Sequence, residues 1–504
     1  MTKFKKTALW TMILALVLKL SGLVRESIIV KEFGPSAEMA GYSIAFSFIT
    51  VVIAMIATGF NNVFLPIYIK RKHEGIDLTD QNANGLLNRI IVIFVIISIV
   101  GWYGSPWFVP LIFPRMSAAA EPIAVHITQI FFMFMVFIAL SALLDSYLQS
   151  RRIFVPSQIA KLLATLLAAL FAVFFSDAWG IYAVAYGFVT GTVLGVLLQT
   201  LYLEKSDYQW KPELTIEPDF RKAFMILLIP SLLNSAVGQV NVLVNKSFAS
   251  GTFDEAVTYL NNASMVTSIP NAIYATTLVT IFFTLMSEQT ADEKAFKDTF
   301  FKGMEISLVI LLPVAVGLAL VGDAAISFIF EGEKFTAKHT DQTYMALLWY
   351  APTIVFQGMQ LILSKSMYAR GKTSVVFRIS VTTIFLNLML NWMLVDKFGY
   401  LSLAFSASMV SIYFFILSML VVYKDLGLAE LRRFFHMCWR VLIPTMIMGF
   451  IVWEAKMILP MEDWYSLFQL AILALIGVVV YVVSLRWIYP IGFNRLVGFM
   501  RKRK

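Results

Sequence analysis

Arg25 and Glu26 stand in KLSGLVRESIIVKEFG (residues 19–34), directly after the apolar run ALWTMILALVL. A guanidinium, a neighbouring carboxylate and the Lys19 ammonium are groups that bind and exchange anions. Inside a membrane such charges are costly, so they face a water-filled cavity or a partner. Positions 19 and 26 are seven apart and share a helix face, while Arg25 lies about 100° round from Glu26. That stripe suits the wall of a polar cavity. Lys31 and Glu32, further on, suit the outer interface, where long side chains snorkel. Deeper polar candidates are Asp145 in FIALSALLDSYLQ, Lys161 in SQIAKLLATLL, and Lys246 in SLLNSAVGQVNVLVNKSF, which also holds Asn241. Asn387 and Asn391 are four apart, so their amides share one helix face. For a lone asparagine, hydrogen bonding between helices is the commoner role.

No catalytic constellation accompanies these groups. The chain has no nucleotide-binding glycine loop, no HExxH and no CxxC, and His73, His126, His339 and His436 are scattered without metal-ligand spacing. The single cysteine, Cys438, excludes an internal disulfide. Binding and transport, not catalysis, is the chemistry these residues fit, so an enzyme is not expected.

The elements that must position them are membrane helices. Of 504 residues, 59% are hydrophobic and 14% charged, where soluble domains carry about a quarter charged. Runs such as RIIVIFVIISIVGWYG and LAILALIGVVVYVVSL approach or reach the length that crosses a bilayer core. A pass along the chain gives about fourteen spans, the first at 8–28 and the last at 464–488. MTKFKK and the apolar run after it lack a small-residue cleavage site and are read as the start of the first span. With both termini cytoplasmic, the inner segments hold roughly twenty-six Lys and Arg against about six in the outer loops, a strong positive-inside asymmetry. The net charge of +9 is therefore topological, and nucleic acid is not an expected partner.

The chain also resembles itself. GIYAVAYG (180–187) recurs as GYLSLAFS (399–406), SYLQSRRIFV (146–155) as SMYARGKTSV (366–375), LIF (111–113) as FIF (328–330), and ATGFNNVFLP (57–66) as ATTLVTIFFT (275–284). All four pairs keep one order and nearly one offset. The offset spans six helices, an even number, so the copies run parallel, a transporter plan with the substrate between halves. The expected architecture is all-α, with a six-helix lobe at 1–222, a second at 223–436, and a helix pair with a basic tail at 437–504. The polar stretch EKSDYQWKPELTIEPDFRK joins the lobes.

GLVRESIIVKEFG, FLPIY at the end of the second span, FEGEKFTA (330–337) and SMYARGKTSVVF (366–377) resemble the MurJ/MviN lipid II flippases of the MOP (multidrug/oligosaccharidyl-lipid/polysaccharide) exporter superfamily. The resemblance runs from the first span to about residue 425. It implies two lobes around a cavity of alternating access and an added helix pair lining a lipid groove. It also implies a polyprenyl-diphosphate-linked glycan as cargo, moved between leaflets of the bacterial cytoplasmic membrane. The family's cavity arginine and following carboxylate correspond to Arg25 and Glu26, and an upstream arginine to Lys19; Lys246 and Asp145 join them as cavity candidates. Two further family arginines are missing: FITVVIAMIATGF (48–60) has no basic residue, and Met265 stands where the other would fall. A family carboxylate is replaced near Ala40. Guanidinium groups grip phosphate by their fork geometry, so these losses point to a capsule or exopolysaccharide repeat unit at least as much as to lipid II. Some members bind sodium; the matching residues here are Asn241, Asn387 and Asn391, none a carboxylate. No resident cofactor is expected, and coupling falls to Na+, H+ or the membrane potential. Glycosyltransferases or a glycan polymerase of the same pathway are the protein partners implied.

Two rivals remain. A cation-coupled multidrug antiporter of the same superfamily needs a cavity carboxylate, for which Glu26 and Asp145 are the first-lobe candidates. A membrane glycosyltransferase or polymerase needs a large outer loop, and the longest here, near 322–342, is short.

Overall fold

The computed structural model describes residues 3–74, 79–206, 208–460 and 464–501, and the described residues are helical with no strand. They form two compact units: one runs to Thr258 and includes Gly332–Lys334, the other takes Tyr259–Glu331 and everything from Phe335 onward.

The first unit contains α1 (Lys3–Phe33), α2 (Ala37–His73), α3 (Thr79–Ile112), α4 (Ala120–Met133), α5 (Met135–Ser150), α6 (Val155–Trp179), α7 (Tyr182–Glu204) and α8 (Pro218–Ser250). Ser36 starts α2 by accepting the Met39 amide at 3.2 Å, satisfying one of the donors a helix start leaves open. The expected span 122–149 is broken at Phe134 (φ −107°, ψ 14°), where α4 and α5 meet at a 57° bend. The tightest pairing is α6 with α7. Gly187, Gly191 and Gly195 recur every fourth residue, and a methyl group at Gly191 would lie 2.5 Å from the Ala164 Cα. Small residues at this spacing let membrane helices approach backbone to backbone. Around them, Phe60, Phe64, Tyr68, Tyr147 and Phe224 form a buried core between α2, α5 and α8.

α8 belongs to this unit, so the compact boundary lies at 258/259 and not at the expected 222/223. The cause is local. Its N-cap Glu217 is held by Arg71 of α2 at 2.5 Å and by Asn82 of α3, and Ser247 near its other end donates to the Ile112 carbonyl at 3.0 Å.

The second unit contains α9 (Asp254–Tyr274, whose first turn lies in the first unit), α10 (Thr280–Glu288), α11 (Glu293–Phe330), α12 (Ala337–Ala369), α13 (Thr373–Phe398), α14 (Leu401–Leu426), α15 (Leu428–Ile458), α16 (Ser466–Ile488) and α17 (Pro490–Arg501). A π-helical turn, Ala275–Val279, joins α9 to α10. Such bulges collect at functional sites. α17 was not anticipated as a helix of its own; Arg495 on it pairs with the buried Glu305 of α11 at 2.6 Å, and Tyr489 donates to the same carboxylate.

Among the described residues, ten helices are long and apolar enough to cross a membrane, eleven when the bent α4–α5 pair is one span. The chain is a multi-pass membrane protein. The fourteen expected spans also count α1, α8 and the α9–α10 pair, which are helical.

The internal repeat is visible in the backbone. Gly180 (φ 55°) and Gly399 (φ 60°) end α6 and α13 with the same left-handed residue, each amide bonding four residues back. Arg152 (φ 61°) and Gly371 (φ 71°) follow α5 and α12, their amides bonding three residues back and the next amides, Ile153 and Lys372, reaching the Leu148 and Met367 carbonyls, a matching pair of Schellman caps. Both pairs keep the offset that relates GIYAVAYG to GYLSLAFS.

Candidate functional site: a cationic cluster on α1, α2 and α8

α1 presents Arg25 to α2. The guanidinium lies 4.5 Å from the centre of the Phe46 ring, and its Nη2 is 3.4 Å from the Glu26 carboxylate. Phe46 is itself stacked on Tyr42 (5.6 Å) and set edge-on to Phe188 of α7 (5.3 Å). The Arg25 side chain is only 11% exposed. Its Nε and the Tyr42 hydroxyl are buried and, among the described residues, have no hydrogen-bond partner. Tyr42 is within electrostatic range of both Arg25 and Glu26, and Lys246 of α8 is within range of Glu26.

The arrangement sets a guanidinium on an aromatic face beside a carboxylate. Two cations face one carboxylate, so the cluster carries a net positive charge. The Arg25–Glu26 contact uses one carboxylate oxygen at the long end of the hydrogen-bond range, leaving guanidinium donors available for a second anion. A guanidinium on an aromatic face gains about 0.5–2 kcal/mol, which holds its plane in place when no anion is bound. Arg25, Glu26 and Lys246, singled out from sequence, are brought together. Tyr42 and Phe46 were missed; aromatics in an apolar helix carry no signal until the fold shows what lies opposite them.

The other candidates go elsewhere. Lys19 is exposed on α1. Asp145 is buried at 1% exposure, ion-paired to Lys161 of α6 and accepting from Gln199 of α7 at 2.8 Å. It joins three helices and has no surface left to offer a substrate, so the structure corrects its assignment to the cavity wall. Asn387 and Asn391 are both buried, on the stripe of α13 that also holds Thr383 and Val395. Asn241 is in the first unit and these two in the second. Lys31 and Glu32 lie by Gly332–Lys334: Lys334 Nζ is 4.0 Å from Glu32, and its carbonyl packs against Gly34 (φ 65°). The first-helix motif and residues 332–334 are thus neighbours within the first unit.

An unforeseen element holds the stretch between α7 and α8. Residues 208–217 are non-helical and run along the first turns of α3, where DQNANGLLNR supplies a ladder of amides. Asn84 donates to the Gln209 carbonyl (3.0 Å), Asn88 to those of Lys211 (2.7 Å) and Glu213 (2.8 Å), and Arg89 to that of Leu214 (2.7 Å). Tyr208 and Trp210 donate back to Asn84 and Asn88. The segment passes so close that a methyl group on Gly85 would lie 2.3 Å from the Thr215 carbonyl. Three asparagines within seven residues at a helix start were the available signal.

Fold and site together define a class: an all-helical multi-pass transporter built on an internal repeat, with a cationic cluster on its first helices. The family model described as "Lipid II flippase MurJ" matches residues 29–478, and the chain belongs to this family. It is accordingly a flippase of the lipid-linked oligosaccharide class and not an enzyme. The lipid II flippase MurJ of Burkholderia cenocepacia is 24% identical over 403 residues, covering 78% of each chain. A probable lipid II flippase MurJ of Buchnera aphidicola subsp. Schizaphis graminum is 25% identical over 454 residues, covering 87% of each. Among solved structures, a lipid II flippase MurJ in an inward closed conformation is similar with a TM-score of 0.82 at 22% identity, over 96% of this chain and 99% of the other. An inward-facing multidrug resistance MATE family transporter of the MOP superfamily is similar at 0.68 and 13% identity, over 84% and 99%.

Proposed function

We propose that the chain carries a polyprenyl-diphosphate-linked oligosaccharide from the inner to the outer leaflet of the bacterial cytoplasmic membrane by alternating access, with both termini cytoplasmic. The observation that carries this is Arg25: a guanidinium in a membrane helix, held on Phe46, with a buried Nε that has no protein partner among the described residues. A diphosphate crossing a low-dielectric layer unpaired would be far too costly. Arg25, Lys246 and the Tyr42 hydroxyl supply what it would need, and Glu26 occupies Arg25 between turnovers. Inside-negative potential favours outward movement of an anion by about 2.3 kcal/mol per charge per 100 mV, so we take the membrane potential as the coupling force. The asparagines Asn241, Asn387 and Asn391 remain the residues to test for a cation.

The relatives are named for lipid II, which makes it the first cargo to try. A secreted-polysaccharide repeat unit is the second, favoured by a specific observation: α9 holds no basic residue, and α2 holds none before Lys70. Proteoliposomes containing the purified chain should move fluorescent lipid II, or a diphosphate-linked polysaccharide unit, to the far leaflet, faster under an imposed potential. Movement of neither above protein-free vesicles would overturn the proposal. Depletion in cells separates the cargoes: arrest of wall synthesis marks lipid II, and loss of a secreted glycan with normal growth marks the polysaccharide unit.

A further inference from the structure

The ladder between α3 and residues 208–217 answers more carbonyls than a loop in water needs, since water hydrogen-bonds the backbone of an ordinary surface loop. Here the carbonyls of Gln209, Lys211, Glu213 and Leu214 each accept from an α3 side chain. The Glu217 amide donates to Asn82. With its polar backbone turned to α3, the segment turns hydrocarbon outward. Trp210 is 57% exposed although its indole N–H already donates to Asn88 at 3.0 Å, and Leu214 is 53% exposed. Close to a bilayer, where water thins out, an unanswered carbonyl is costly. This arrangement avoids that cost.

The depth is fixed by α3. Its exposed apolar side chains run from Val92 to Leu111, about 29 Å of helix, which matches a hydrocarbon core of about 30 Å. Asn88 stands one turn before Val92, and Arg89 one turn before Ile93. Trp210 on Asn88 and the Leu214 carbonyl on Arg89 therefore lie about 6 Å beyond the end of that stripe. That is the level of the lipid headgroups. The exposed apolar surface of α3 continues onto the segment without a gap in depth.

We propose that residues 208–217 form a strap lying in the headgroup layer of the bilayer, with the Trp210 ring and the Leu214 side chain against lipid and the α3 side chains screening its carbonyls. Continuity with the lipid-facing stripe of α3 selects this occupant, and tryptophan is enriched at this level. Lys211, also exposed, has a side chain long enough to reach water from there. The strap is independent of Arg25 and of the cargo.

The test uses the full chain with Cys438→Ser, in lipid nanodiscs, carrying one nitroxide at Leu214→Cys, at Val92→Cys, or at Lys70→Cys, whose side chain is 76% exposed near the end of α2. Spin relaxation is compared for oxygen, which concentrates in hydrocarbon, and for a nickel chelate, which stays in water. The oxygen-to-nickel ratio at Leu214 should be several-fold above that at Lys70 and below that at Val92. A ratio equal to that at Lys70 would overturn the proposal. Because the label replaces the leucine itself, Trp210 is tested in the otherwise native chain. Lipids brominated near the carbonyl end of their acyl chains should quench the fluorescence of the parent more than that of Trp210→Phe. Equal quenching would place Trp210 in water and sink the strap.

Discussion

At the scale of the residue, Arg25 is the group on which the proposed transport depends most. Hydrogen bonds to charged groups contribute about 1.5–3 kcal/mol each, so losing the guanidinium should cost transport ten- to a hundredfold. Arg25→Ala is expected to slow flipping in proteoliposomes by that factor while the protein accumulates at parental levels. Arg25→Lys should keep part of the rate, because the charge survives but the fork does not. Normal transport by Arg25→Ala would make Arg25 an interfacial anchor. Asp145 shows the limit of reading such residues from sequence. It is an ionisable group in an apolar helix just as Arg25 is, yet it meets Lys161 and Gln199. A sequence gives the cost of a buried charge but not the partner that offsets it.

At the scale of the element, the segment 208–217 is fastened by side chains of α3, since it has no helix or sheet of its own to satisfy its carbonyls. Asn88 alone makes three of these bonds. Asn88→Ala would strand two carbonyls and the Trp210 indole, at about 1–3 kcal/mol per buried group left unsatisfied. Trypsin should then cut after Lys205 faster than in the parent, with the helices intact by circular dichroism; an unchanged cleavage rate would mean the segment is held by something else. Acid should loosen the same segment. The Glu217 carboxyl is held below its usual range by its hydrogen bond to Arg71, with a smaller contribution from Asn82. A depressed carboxylate stabilises above its unfolded pKa and is lost as pH falls through the folded one. Hydrogen exchange of the 208–217 amides should therefore be slow at neutral pH and rise in the acid range, and Glu217→Gln should show the fast rate at neutral pH.

At the scale of the whole molecule, the repeat and the charge asymmetry make one topological prediction. With Cys438 replaced by serine, single cysteines at Thr336 or Asp177 should label from outside intact cells. Cysteines at His73 or Ser206 should label only after permeabilisation. The reverse pattern would overturn the orientation and put the charged stretch around Arg25 on the opposite side. The repeat was legible as four short sequence echoes. Its firmer form is in the backbone, where left-handed residues at 180 and 399, and at 152 and 371, close the corresponding helices.

The sequence by itself determined the all-helical membrane class, the repeat, the resemblance that led to the family, and the presence of the Arg25–Glu26 charges within a membrane helix. These follow from hydropathy, spacing and the cost of charge in a membrane, which are properties of the chain read along its length. Only the tertiary structure decided that Asp145 is internal glue, that α8 packs with the first helices, that Phe46 and Tyr42 flank Arg25, and that asparagines of α3 clamp residues more than a hundred positions away. Each of these depends on which side chains meet across helices. Helical periodicity orients a side chain on its own helix and is silent about what lies opposite.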